Sequence, residues 1–539
     1  MPDVADAIAR LRAEWSLDFA RVRPVLDGFT QGASVSELVV RSGLPRRDVE
    51  SIISGLDRRS LITDVGDEGA PDALPDEPGL TARMAELAAG LPPSRWRLDH
   101  VPATPETMAR RALYLAREYE LAGSSVLCLG DHDLTSLAVG HAVPGAELTV
   151  VDIDEPILDH ISASAGRLGS AVTTAWADLR LALPSSLIGT ADLVFTDPPY
   201  TTEGMRLFLM RGLEALRPTG HERLAFCFGT GERHLVKALE VQSLLGDLRL
   251  ALEAMLPGFN HYEGAEAIGA RSDLYLCRPT TGAKVGEAAF TTRSRRSARA
   301  KATARIYTRG AAAEEAPART VPDPVATAAL AAAGEGPLLL VGEGWEPAAD
   351  HLPSGPDAGR TAVVSLPEFF SRVAAWVTAA RPGPFPFAGT PVINTHPDHG
   401  GAALRSLLVA APERAVLVLP RRDLFDPGLL AAAYDLAAVP TGPGGDPAVL
   451  LATRSARAPA DAAEAVLRHI LLHPGAKVVN VWRDGLLATA RAAGTTMTKN
   501  EARARIAADT LDPALRRLRT WELPSSGLRT LGTEVARRS

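Results

Sequence analysis

Three cysteines among 539 residues, Cys128, Cys227 and Cys277, are too few and too scattered for a disulfide framework, and no CxxC pair offers a zinc site. A reducing, cytoplasmic setting is expected. Long apolar runs are missing too. No stretch approaches the ~18 residues of a membrane span, and the opening MPDVADAIARLRAEW is charged throughout, so neither anchor nor signal peptide is expected. Nor is there an excess of positive charge. With 57 Lys+Arg against 64 Asp+Glu the net charge is -7, which argues against bulk nucleic-acid binding and suits a cationic ligand.

What is present points to several domains, since the chain is too long for one ordinary core. Residues 17–64 read as three short helices and a turn, LDFARVRPVLDGF, SVSELVVRSG and RRDVESIISGLDRRSLI. Ser34 or Ser36 caps the second helix and Gly43 breaks it. The pattern is a helix-turn-helix of the winged kind. Arg46 and Arg47 open the third helix, but Asp48, Glu50 and Asp57 share it, so a packing module is favoured over DNA contact. The polar, proline-rich DEGAPDALPDEPG (67–79) is a linker or exposed loop.

From about residue 107 helices and strands alternate: the strands SSVLCLG, ELTVVDI, VTTAWA, ADLVFTD and RLAFCFG are separated by helical segments or turns. Such alternation predicts βαβ units in a doubly wound parallel sheet, with ligands at the carboxyl ends of its strands. The basic run RSRRSARAKATAR (293–305) lacks interleaved aromatics and, with the Ala/Pro/Glu-rich stretch after it, reads as a solvated linker. GPLLLVGEG, RTAVVSL, TPVINTHP, RAVLVLP and AVLLATR beyond it predict a second α/β unit without a glycine-rich fingerprint. The expected fold class is therefore α/β: an N-terminal winged-helix domain with its linker (1–80), a central Rossmann-like domain (81–309), a linker (310–336) and a C-terminal α/β domain (337–539).

Polar residues gather just past the central strands. The first strand ends at Gly130, followed by Asp131, His132 and Asp133 before a helix opens at Leu134-Thr135-Ser136. A glycine there lets backbone approach a cofactor, and the helix start offers free N–H groups. Asp131 and Asp133 fit equally as helix caps. About twenty residues on, Asp152 and Asp154 stand where an acid holds ribose hydroxyls, and Asp178 ends a third strand within reach of an adenine amino group. After the fourth strand, Asp197-Pro198-Pro199-Tyr200 cannot continue a ladder, because proline has no N–H to donate. The proline pair frees carbonyls to accept from an amine, Asp197 adds charge, and Tyr200 offers a face to a planar or cationic group. Together these residues predict an adenosyl-sulfonium site holding a nitrogen nucleophile. Asp131 and Asp133 would repel the α-carboxylate of S-adenosylmethionine but attract the bare aminopropyl ammonium of its decarboxylated form, so aminopropyl transfer is expected over methyl transfer.

GDHDLTSLA, VVDIDEPILDHI, ADLRLALP, FTDPPYTTEGMRLFLMRG and FNHYEGAEAIGARSDLY, in that order, resemble the branched-chain polyamine synthases, the N4-bis(aminopropyl)spermidine synthases. The resemblance covers about 1–285, with its specific motifs between Gly130 and Tyr275. It implies a Rossmann-like aminopropyltransferase with an N-terminal winged helix, moving aminopropyl groups from decarboxylated S-adenosylmethionine to the central nitrogen of spermidine and releasing methylthioadenosine. It places the acidic Gly-Asp-Asp-Asp loop on Gly130 to Asp133 and the proposed base on Asp133. His132 departs from that loop by replacing an acid. Carboxylate neighbours are expected to raise its pKa, making it a charge switch for polyamine binding near pH 6. The partner is a polyamine, with nucleic acid and membrane not expected, and a homodimer is compatible with the pattern. An N-directed methyltransferase using S-adenosylmethionine and a non-catalytic winged-helix regulator are the alternatives.

The half from about residue 311 has no counterpart in the compact members of that family. Its NTHPDHGG (394–401) superficially resembles the metal loop of metallo-β-lactamase-like hydrolases, but Asn394 stands where the first histidine belongs and no later ligand set follows. No metal is expected.

Overall fold

A computed structural model describes residues 4–54, 56, 74–95, 98–229, 235–265, 268–283, 321, 323–334, 337–342, 345, 362–379, 386–394, 401–419, 428–441, 448–506 and 511–539. The stretch after the third N-terminal helix where a wing is expected, the basic run 293–305, and Thr395–Gly400 of the histidine-containing loop lie outside these residues. The chain divides into two compact units: residues 1–150, 160–172 and 188–300 form the first, and 151–159, 173–187 and 301–539 the second.

The first unit opens with four helices, α1 (Val4–Trp15), α2 (Phe19–Thr30), α3 (Val35–Ser42) and α4 (Arg46–Ser54). Ser34 caps α3 through a reciprocal capping box with Glu37, and Gly43 ends it at φ +62°, a left-handed conformation that glycine adopts without strain. Phe19, Val22, Val25, Leu38, Val49 and Ile52 form the core of this bundle. Buried Asp18 fastens it to the rest of the unit by accepting from Arg223 Nη2 at 2.8 Å and pairing with His221 Nδ1 at 2.8 Å. Arg46, by contrast, pairs with its own neighbour Glu50 on an exposed surface.

Helices α5 (Glu77–Ala88) and α6 (Pro105–Glu118) precede a seven-stranded sheet. In chain order its elements are β1 (Ser125–Leu129), α7 (Thr135–Ala142), β2 (Glu147–Asp152), α8 (Glu155–Leu168), β3 (Val172–Trp176), β4 (Leu193–Thr196), α9 (Thr202–Ala215), β5 (Arg223–Phe228), α10 (Leu235–Leu248), β6 (Leu250–His261) and β7 (Arg271–Pro279). The strand order is β3-β2-β1-β4-β5-β7-β6. β1, β4 and β5 run parallel, as the alternation predicts, but β7 joins β5 antiparallel and pairs with β6 as a hairpin. The sheet is thus mixed. Its order reverses between β1 and β4, the switch point where doubly wound sheets open a crevice. The register places Leu129 beside Thr196, so Gly130 and Asp197 leave adjacent strands together.

The second unit contains α11 (Asp323–Ala333), β8 (Leu338–Val341), β9 (Ala362–Val364), α12 (Leu366–Thr378), β10 (Thr390–Asn394), α13 (Ala402–Ala410), β11 (Arg414–Leu419), β12 (Tyr434–Val439) and β13 (Ala448–Arg454), then α14 (Ala462–Leu472), α15 (Val478–Ala492), α16 (Lys499–Ile506), α17 (Pro513–Arg517) and α18 (Ser525–Arg538). Its six-stranded sheet runs β12-β13-β11-β10-β8-β9, with β12, β13 and β11 antiparallel. β12 is a strand the sequence pattern does not signal, since its burial is irregular.

Candidate active site

The crevice between β1 and β4 is built around an arginine. Arg111 sits on the face of α6 that also buries Met108, Ala112 and Leu115, and its side chain is wholly buried. Nη1 donates to Asp133 Oδ2 at 2.7 Å, Nη2 to Asp197 Oδ2 at 2.7 Å, and Nε to Asn260 Oδ1 at 2.8 Å. Its guanidinium lies 5.2 Å from the ring centre of Phe195. A buried guanidinium is tolerable only when its donors are met, and here charged partners meet them.

Asp133 also accepts the Ala103 N–H at 2.9 Å, so both its oxygens are engaged. Asp197 accepts from the hydroxyls of Tyr200 at 2.9 Å and Tyr262 at 2.7 Å. Burial pushes the Asp197 carboxyl above the usual range, against the pull of Arg111 and with the help of Asp133. The two tyrosine hydroxyls lie 3.0 Å apart, and Tyr262 continues to Ser272 Oγ at 2.6 Å, which accepts from Asn260 Nδ2 at 3.0 Å. Asn260 and Ser272 face each other across the β6–β7 hairpin, which explains their meeting. Tyr200 directs its hydroxyl to the carboxylate and sets its ring edge-on against Phe228 at 5.5 Å. Pro198 and Pro199 are buried just beyond the end of β4.

Gly130 takes φ +68°, turning the chain out of β1. Asp131 accepts from the N–H groups of Thr135 at 2.8 Å and Ser136 at 3.1 Å, so the helix start expected to be free is occupied by the chain's own carboxylate. Burial raises the Asp131 carboxyl to about 7 despite these hydrogen bonds. The expected charge switch at His132 is overturned. Its ring is buried against His100, centres 4.4 Å apart, with neither nitrogen hydrogen-bonded among the described residues. Burial first and His160 second push it down to about 4, so the adjacent carboxylates do not govern it.

Asp152, Asp154 and Asp178 belong to the second unit. Buried Asp152 ends β2 and takes the Asp154 N–H on Oδ1 at 2.8 Å. Asp178, past β3, holds Arg180 through Nη2 at 2.7 Å and Nε at 2.8 Å. The fold therefore brings together Asp131, Asp133, Asp197 and Tyr200. It adds Arg111, Asn260, Tyr262 and Ser272, which the reading of single motifs passes over. The described residues hold no cluster of three or more His, Cys, Asp or Glu side chains fit for a metal, and no helix long and apolar enough to cross a membrane.

Residues 79–281 match the family model of the branched-chain polyamine synthase A C-terminal domain. The chain is 32% identical over 199 residues to an N(4)-bis(aminopropyl)spermidine synthase of Methanocaldococcus jannaschii, covering 36% of this chain and 56% of that protein. It is 30% identical over 238 residues to the protein of the same name from Thermus thermophilus, covering 41% of this chain and 67% of that one. The crystal structure of the branched-chain polyamine synthase from Thermus thermophilus with N4-aminopropylspermidine and 5′-methylthioadenosine aligns over 52% of this chain and 93% of that one, at 24% identity and a TM-score of 0.35. The chain spans about half the length of the first curated relatives it matches. With the Thermus relative matched over two thirds of its length, this chain belongs to the branched-chain polyamine synthase family.

Proposed function

We propose that the chain transfers an aminopropyl group from decarboxylated S-adenosylmethionine to a nitrogen of a spermidine-like polyamine, releasing 5′-methylthioadenosine. The observation that carries this reading is Asp131 on the first amides of α7. A donor with an α-carboxylate competes with Asp131 for those amides, whereas a donor without one leaves them to it. Asp133 and Asp197 together carry two negative charges against the single positive charge of Arg111, so this cluster keeps an attraction for a cationic acceptor. Relatives named for aminopropyl transfer to spermidine support the same reading.

In the reaction, the acceptor nitrogen forms a bond to the propyl carbon attached to sulfur. The C–S bond breaks, its electron pair stays on sulfur as a neutral thioether, and the nitrogen gives up a proton. Asp197, whose affinity for a proton is raised by burial, is assigned as the proton acceptor, and Asp133 holds Arg111 in place. The proline pair is assigned to offer its carbonyls to the amine, Asp152 and Asp154 to hold the ribose, and Asp178 to meet the adenine amino group. Residues 81–309 are taken as the transferase domain, preceded by a winged-helix packing module, and a homodimer is compatible with this reading.

Mass spectrometry of products formed with either donor and a panel of polyamines tests the assignment. An added aminopropyl unit with the decarboxylated donor is expected. Methyl addition with intact S-adenosylmethionine would replace it by N-methyl transfer, and no product with either donor would leave a regulator.

A further inference from the structure

The two sheets share one topology. With β3 set aside, the first runs β2-β1-β4-β5-β7-β6 and the second β9-β8-β10-β11-β13-β12, so strands taken in chain order fall in the same places. In each, the first strand is parallel to its neighbour across the switch point, the next strand follows in parallel, and an antiparallel hairpin closes the edge with its second strand on the inside. The first strand of each leads into a left-handed glycine, Gly130 at φ +68° and Gly342 at φ +96°. The registers pair Leu129 with Thr196 and Val341 with Ile393, which makes Asn394 the counterpart of Asp197. Trp345 stands as far past Gly342 as Asp133 past Gly130.

The copy lacks the charges of the original. α11, which precedes β8 as α6 precedes β1, reads DPVATAALAAA and has no basic residue to match Arg111. Trp345 is 4% exposed, donates its indole N–H to the Val341 carbonyl at 3.2 Å and packs with Val325, Leu340 and Val392. An indole only donates, and a carboxamide carries no charge, so these counterparts can neither take a proton from an amine nor attract its cation.

What the second unit does hold is a pair of segments from earlier in the chain, 151–159 and 173–187. Arg405 of α13 is wholly buried, and its Nη2 donates to Glu155 Oε1 at 2.6 Å and to the Leu523 carbonyl at 2.9 Å. A Cβ on Gly401 would come within 2.6 Å of Arg405 Nη1, so the left-handed glycine before α13 leaves the guanidinium its room. Glu155 also accepts from Ser525 N at 2.8 Å and Oγ at 3.0 Å. Buried Glu522 accepts from Ser185 Oγ at 2.8 Å and Ser186 N at 3.0 Å. Glu155 follows directly on Asp152 and Asp154, the residues assigned to the ribose.

We propose that the C-terminal sheet is a second copy of the transferase fold without its catalytic cluster, and that it serves the reaction as a clamp: Arg405 and Glu155 are positioning residues that fix Asp152 and Asp154 for the nucleoside. The proposal rests on the adenosyl-donor reading above.

The test is calorimetry of 5′-methylthioadenosine with the full chain, beside steady-state kinetics and thermal melting, in wild type, Glu155→Gln, Arg405→Met and Arg405→Lys. Wild type is expected to bind one nucleoside per chain. Glu155→Gln and Arg405→Met should each weaken that binding and raise the donor KM about tenfold while kcat stays within about threefold, and Arg405→Lys should recover part of the loss. If Arg405→Met fails to fold, Glu155→Gln decides alone. Two nucleosides per chain would reveal a second working crevice and overturn the silent copy. Wild-type affinity in the folded variants, or a kcat that falls as far as the affinity, would reduce the pair to structural support and overturn the clamp. No nucleoside bound by wild type would instead remove the adenosyl-donor reading, and the clamp with it.

Discussion

Arg111 Nη2 donates to Asp197 Oδ2 at 2.7 Å from a side chain with no solvent exposure, tying α6 to the end of β4. Because Nη1 of the same group holds Asp133, removing it leaves two buried carboxylates facing each other. Arg111→Met is expected to cost about 3–5 kcal/mol of stability, by denaturant unfolding, and to abolish turnover. Arg111→Lys, which cannot fork between both acids, should recover part of the stability and little of the activity. A fully stable, active Arg111→Met protein would dissolve the network's role.

Asp197→Asn should lower kcat by about 10²–10⁴-fold while the affinity for 5′-methylthioadenosine stays within about twofold, since the proton acceptor is lost and the nucleoside contacts are not. Asp133→Asn is expected to abolish turnover with nucleoside binding equally preserved, through loss of its grip on Arg111. Steady-state kinetics paired with calorimetry separates the two effects, and near-normal rates in either variant remove that residue from the mechanism.

Asp152→Ala should weaken 5′-methylthioadenosine binding by about 1.5–3 kcal/mol, the worth of a hydrogen bond to a charged acceptor. Unchanged affinity in calorimetry would reassign the ribose contact to Asp154.

Asp131 makes stability depend on pH in an unusual direction. Burial raises its carboxyl from the ordinary 3.8 to about 7, so between these values the folded chain keeps a proton that the unfolded chain releases. Stability is complete below about pH 4 as far as this group is concerned, and falls as pH rises toward 7. Wild type should therefore lose stability relative to Asp131→Asn across that window, at no more than about 1.4 kcal/mol per pH unit. Urea unfolding of both proteins at several pH values reads the difference, and parallel curves would contradict the burial argument.

His132 and His100 work in the opposite sense, with burial pushing their pKa values down to about 4 and about 3 from the ordinary 6.5. The unfolded chain binds these protons first, so stability is present above pH 6.5 and is lost as pH falls toward 4. His132→Asn is expected to make that acid limb shallower. Between pH 6 and 9 the ring stays neutral, so the acceptor KM of His132→Gln should track wild type in parallel. Divergence of the two profiles near pH 6 would restore the charge switch.

Much of the fold is legible in the chain itself because its signals are local. Alternating apolar runs mark β1 to β5, Ser34 and Gly43 bracket α3 through hydrogen bonds spanning a few residues, and Pro198-Pro199 ends β4 simply by lacking N–H donors. Asp131, Asp133 and Asp197 are likewise readable as one site, since parallel strands in a doubly wound sheet release their carboxyl ends on one side. Arg111 left a local trace, a charge between Met108 and Leu115 on an apolar helix face, but its partners lie up to 151 residues away. Tyr262 reaches Asp197, with Asn260 and Ser272 behind it, only because β6 and β7 fold back as a hairpin. The charge state of His132 was undecidable from its neighbours in sequence, because desolvation by residues distant along the chain outweighs adjacent carboxylates. Local sequence thus determined the strands, caps and acidic positions, while the pairing, burial and protonation of those positions were decided by tertiary packing, which alone sets distance and dielectric.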